Sequence, residues 1–142
     1  MRLVLLMMSL CAALALPAHA ADPAGGTRVV YHFSDGLEQA SNGLRNIRNH
    51  LDTDPAAKIV VVAHAAGVNF MLRGAKDKNG NEYATTIEDL TTAGVEFRAC
   101  NITLTSRKID PKQLHDDAKL VPSGVVEITR LQAREGHAYI KP

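Results

Sequence analysis

The chain has 142 residues, 46% of them apolar, with a formal net charge of +1, three Tyr, three Phe and no Trp. Its acidic and basic residues are interspersed rather than clustered, which argues against a nucleic-acid surface, and so few aromatic rings leave no base- or sugar-stacking platform. Once a leader is set aside, about 120 residues remain, enough for one compact domain with its own core and too few for two.

The leader comes first in chain order. Arg2 precedes an apolar run from Leu3 to Leu16, Pro17 interrupts it, and Ala18-His19-Ala20 supplies a small-x-small cleavage site. That is the layout of a secretory signal peptide over residues 1–20, followed by a flexible stretch over 21–26 and one domain over 27–142. The apolar run is shorter than the roughly 18 residues of a membrane span, so no membrane association is expected after cleavage. Cys11 follows Ser9-Leu10, which is not a lipid-attachment pattern. Export without an anchor points to a periplasmic location. There Cys100, the one cysteine beyond the leader, has no partner for a structural disulfide.

Thr27 to Phe33 is a β-rich run, and Leu37, Ala40, Leu44, Ile47 and Leu51 then recur at helical spacing. Asp35 with Glu38 resembles a capping box, and Asp52-Thr53-Asp54-Pro55 ends the helix. Lys58 to His64 is an unbroken β-branched strand of the kind buried on both faces of a parallel sheet. Ala66 to Arg73 reads as a short helix, Asp77 to Asn81 as a turn, and Tyr83, Ile87 and Leu90 as one face of another helix that ends at Ala93-Gly94.

Val95 to Cys100 is the third strand. Its alternation places Glu96, Arg98 and Cys100 opposite Val95, Phe97 and Ala99, so the charged side is expected to meet solvent or another subunit, with a Glu96 or Arg98 ion pair across such a contact. Asn101 or Thr103 can cap a turn whose amides face the sulfur. Asp110-Pro111 opens a short helix, and Leu120-Val121 is a brief strand. Ser123 caps a last helix that turns Val125, Ile128 and Leu131 inward and stops at Gly136, and Ala138-Tyr139-Ile140 closes the sheet. The alternation predicts an α/β fold with a mostly parallel sheet of about five strands.

Ligands of such sheets bind at the carboxyl ends of the strands. His32, His64 and Cys100 all fall there, although they are far apart in sequence. No two of them have a short metal-ligand spacing, so no metal is expected. The loop Phe33 to Glu38 lacks a Ser/Thr-rich phosphate cradle, so no flavin or other cofactor is expected, and thioredoxin-type chemistry lacks its second cysteine.

Several blocks together resemble the DsrE/DsrF-like family over nearly the whole domain. They are Val29-Val30-Tyr31-His32, Val62 to Val68, Gly94 to Asn101, Pro122 to Ile128 and Glu135 to Pro142. The resemblance implies a flavodoxin-like, three-layer sandwich assembled into trimers or larger homo-oligomers. In the sulfur-relay members it also implies a cysteine after the third strand that carries persulfide sulfur, and Cys100 stands at that position. Two features depart from those members: the leader, and the segment Asn101 to Thr105 in place of an Arg-Arg-Gly-containing helix.

The leading expectation is that Cys100 accepts or relays sulfane sulfur, as a sulfurtransferase or sulfur carrier. His64 assists, and His32, Ala65, Gly67 and Asn101 line the site. The ligand is then a sulfane-sulfur donor or a small anion. The alternative is a non-catalytic oligomeric module that binds a small ligand in the same strand-end pocket. A third reading has Cys100 only packing in the core, where free cysteines are common.

Overall fold

The computed structural model describes residues 25–142. The leader over residues 1–20, and Ala21 to Ala24 of the stretch that follows it, lie outside the described residues. Five strands form one all-parallel sheet: β1 (Arg28–Phe33), β2 (Lys58–Ala63), β3 (Glu96–Cys100), β4 (Ala118–Val121) and β5 (Ala138–Ile140), in the spatial order β4-β3-β2-β1-β5. Four α-helices connect them: α1 (Leu37–Thr53), α2 (Tyr83–Thr92), α3 (Asn101–Ser106) and α4 (Gly124–Glu135), with short 3-10 helices at Ala65–Met71 and Pro111–Gln113.

The strand order explains how the helices are distributed. From β1 to β4 the chain steps across the sheet in one direction, then returns past β1 to place β5 on the other side. Right-handed crossovers put the connections of the outward steps on one face and that of the return step on the opposite face. The core divides accordingly. The larger cluster joins Tyr31, Phe33, Val61 and Phe97 to Leu44 and Ile47 of α1, Ile87 of α2, Leu104 of α3 and Phe70 of the first 3-10 helix. The smaller joins Val30, Val60 and Val62 to Ile128 and Leu131 of α4 alone. The result is a three-layer α/β sandwich with one thin layer.

Several local expectations change. The Asp35–Glu38 capping box does not form: Gly36 is the N-cap of α1 and makes no side-chain cap bond. The amides of Ser34 and Asp35 instead donate to Gln39 Oε1, each at 2.9 Å. The segment Ala66–Arg73 is a 3-10 helix over Ala65–Met71, and the residues after Cys100 form α3. Leu37 lies at the rim at 36% exposed. Arg48 of α1 pairs with Asp89 of α2 at 3.6 Å.

Val125 does not point inward, being 61% exposed, while Ile128 and Leu131 are buried. Each three-residue step falls about 60° short of a full turn, so residues 125 and 131 differ by about 120° in azimuth, too wide for the single stripe that α4 buries. The charges of β3 find their partners within the chain. Arg98 binds Glu96 at 2.9 Å and also Glu127 of α4, which in turn binds Arg130. The described residues contain no helix long and apolar enough to cross a membrane.

Candidate functional site

Two helices begin beside the carboxyl end of β3, and they lie on opposite faces of the sheet. The chain leaves β3 directly into α3, on the side of the larger core, whereas it leaves the adjacent β4 through Pro122-Ser123 into α4 on the other side. Cys100 pairs with Val121 in the register of β3 and β4, so its side chain occupies the crevice where the two connections diverge.

Cys100 is 4% exposed. Burial pushes its thiol up, but the polar groups around it, the Gly124 amide first and then the Thr103 hydroxyl and the amides of Thr103 and Ile102, hold it below its ordinary 9.0. Thr103 Oγ1 is itself fixed, accepting from the Ala65 amide at 2.9 Å, so its own proton is free to face the sulfur. The Ala65 carbonyl accepts from Arg107 at 3.0 Å. This clamp holds Ala65 at φ 48, in the left-handed region that a non-glycine residue rarely occupies.

Gly124 lies at the closest approach. A Cβ there would meet both the Cys100 Cβ and the His64 Cβ at 3.2 Å, tighter than side chains normally tolerate. The absence of a side chain lets the start of α4 pack close against Cys100, while Ser123 Oγ accepts from Val126 N at 3.4 Å and caps the same turn.

His64 follows β2 as the N-cap of the first 3-10 helix, abreast of Cys100 one step beyond the Ala63–Ala99 pair. Its ring bonds to another histidine rather than to backbone: His32 Nε2 and His64 Nε2 are 2.6 Å apart. His32 Nδ1 is 2.6 Å from the hydroxyl of Tyr139, which is 44% exposed. Burial lowers the pKa of both histidines below 6.5. For His32 the neighbouring His64 and then Lys141 lower it further, for His64 Lys141 does, and Asp35 opposes the trend in each. Both rings are therefore neutral near pH 7.

The expected site residues thus occupy distinct places. Cys100, His64 and His32 share one face at the strand ends. Ala65 contributes its peptide through Thr103, and Asn101 is the first residue of α3. Gly67 supports the site from behind, since a Cβ there would lie 2.2 Å from the Phe33 carbonyl oxygen. Gly124 and Tyr139 were missed by sequence reasoning. A glycine immediately after a capping serine, ahead of two valines, was the available clue to the first. The second required the β1–β5 register, which pairs Tyr139 with Val30. A cavity of about 580 Å³ between α1 and the Asp77–Asn81 turn is lined by none of Cys100, His32 or His64. No cluster among the described residues has the composition of a metal site.

The comparisons agree with this architecture. The sequence profile of the DsrE/DsrF-like family matches residues 27–142. A solved structure of the protein of unknown function MTH1491 from Methanobacterium thermoautotrophicum is similar at 36% identity and a TM-score of 0.73, covering 82% of this chain and 99% of that one. The ychN protein from E. coli shares the fold at 19% identity and a TM-score of 0.66, covering 83% of this chain and 99% of its own. No curated protein matches the chain.

Proposed function

Because the chain belongs to the DsrE/DsrF-like family, we propose that Cys100 accepts sulfane sulfur as a persulfide and passes it to an acceptor. One observation carries this reading: a buried cysteine sits where two helices start, beside Gly124, and the amides there, with the Thr103 hydroxyl, hold its thiol below the ordinary range. Core packing requires no such set of donors. A nucleophilic thiolate does.

In this reading the Cys100 thiolate attacks the outer sulfur of a donor R–S–SH. A new S–S bond forms on Cys100, the donor S–S bond breaks, and R–S⁻ leaves with the electron pair. His64, abreast of the thiol, supplies that thiolate with a proton. The chain acts after export, on the strength of the leader-like residues 1–20, and as a homotrimer or larger homo-oligomer.

The test is to load the purified protein with an alkyl persulfide, remove the excess, add cyanide and quantify thiocyanate. Stoichiometric release from wild type and none from Cys100→Ser is the expected result. If both proteins behave alike, Cys100 is not the acceptor, and a non-catalytic module that binds a small ligand becomes the better account.

A further inference from the structure

Tyr139, His32 and His64 form one hydrogen-bonded row that begins at solvent and ends beside the thiol. The links are Tyr139 Oη to His32 Nδ1 and His32 Nε2 to His64 Nε2, each 2.6 Å. The last residue of the row, His64, stands beside Cys100 at Gly124, where an added Cβ would meet the Cβ atoms of both at 3.2 Å. The three residues come from the ends of β1, β2 and β5, and core packing has no need to align their polar atoms in sequence.

A contact between two imidazole Nε2 atoms is attractive only when one of them holds a proton, so the tautomers of the two rings are linked. When Tyr139 donates to His32 Nδ1, His32 holds its proton on Nε2 and donates to His64, which then holds its own on Nδ1. Shifting every proton one place along the row leaves both rings neutral.

We propose that this row is a proton relay that takes a proton from solvent at Tyr139 and delivers it, through His32 and His64, to the thiolate leaving the sulfur donor. The proposal rests on the persulfide reading of Cys100. Cys100–S⁻ and R–S–SH give Cys100–S–SH and R–S⁻. His64 Nδ1–H protonates R–S⁻, His32 Nε2–H protonates His64 Nε2, Tyr139 O–H protonates His32 Nδ1, and water restores the phenol. No oxidant or reductant is consumed. His64 is the catalytic acid, and His32 and Tyr139 are positioning residues that act through it.

The surroundings fit a neutral relay rather than a stored imidazolium. His32 is faced by His64 after β2, by Tyr139 of β5, by Lys141 beyond β5 and by Asp35 after β1, while Lys141 and Asp35 also act on His64. Lys141 and Asp35 pair with each other at 3.4 Å, which leaves little net charge at the row.

The experiment compares wild type, Tyr139→Phe and His32→Gln in single-turnover sulfur uptake, followed by intact mass. Two donors are used, an alkyl persulfide with a basic leaving thiolate and a nitroaryl persulfide whose thiolate needs no proton, with iodoacetamide alkylation of Cys100 as a third reaction. A relay predicts that either variant slows the alkyl donor by about tenfold or more and leaves the nitroaryl donor and alkylation unchanged. Equal slowing in all three reactions, or in none, overturns the relay. Failure of wild type to gain sulfur from either donor overturns the persulfide reading itself, and the two failures are distinct in the data. The second variant answers the question should the first not fold.

Discussion

Thr103 decides how Cys100 behaves. Its hydroxyl accepts from the Ala65 amide and helps to hold the thiol below its ordinary range, so it links the strained Ala65 peptide to the thiol. Thr103→Val keeps the shape and removes the donor, leaving the Ala65 amide without its partner. The thiol pKa, followed by ultraviolet absorbance of the thiolate, is expected to rise in Thr103→Val and to stay near the wild-type value in Thr103→Ser. An unchanged titration in Thr103→Val would remove the hydroxyl from the account. Cys100, His64 and His32 were legible in the sequence as strand-end residues, because a run of β-branched residues shows where a strand stops. Their donors were not. Which amide reaches a sulfur depends on how two helices start on opposite faces, and neither composition nor periodicity records that.

Elements are tied to one another here by groups that titrate. The His32–His64–Tyr139 row joins the ends of β1, β2 and β5, and Arg98 with Glu96 and Glu127 joins β3 to α4. The two histidines are held below 6.5 in the folded chain, so the unfolded chain binds more protons in that range. Their contribution is complete above about 6.5 and is lost as pH falls through the folded values. Glu96, hydrogen-bonded by Arg98, and Glu127, hydrogen-bonded by Arg130 and then Arg98, are held below 4.5, so theirs is complete above 4.5 and lost at lower pH. Thermal unfolding followed by circular dichroism should show Tm falling in two stages on acidification. The double variant His32→Gln, His64→Gln should flatten the first stage and keep the second, whereas an undiminished first stage in that variant would contradict the assignment. The intrachain partners of Arg98 also show where strand alternation misleads. It gave the face correctly but could not show that α4 would supply the counter-charge.

For the molecule as a whole, the uneven layering matters most. The order β4-β3-β2-β1-β5 allows only α4 on the second face. Ile102, at the start of α3, is 61% exposed, and at the start of α4 Val125 is 61% and Val126 65% exposed. Exposed apolar side chains at the starts of the two helices that flank the thiol suit a contact between copies of the chain. Light scattering is expected to give a mass of three or more chains, and Ile102→Asp with Val126→Asp to give a monomer that still unfolds cooperatively. A monomeric wild type would contradict this proposal. The α/β class and all five strands could be read in advance, because alternating strand and helix patterns leave few topologies. Strand order could not, since only the packed sheet reveals that the last strand returns beside the first.

The central claim is that the folded chain favours the thiolate form of Cys100 and lets it react from its buried position. The most direct measurement is the rate of iodoacetamide alkylation of Cys100 against pH, in the folded protein and in denaturant. The account predicts that the folded protein reacts, with a midpoint below the 9.0 of an ordinary thiol and below the midpoint in denaturant. A thiol that reacts only after unfolding, or that titrates at or above that value when folded, would make Cys100 a packing residue and contradict the account.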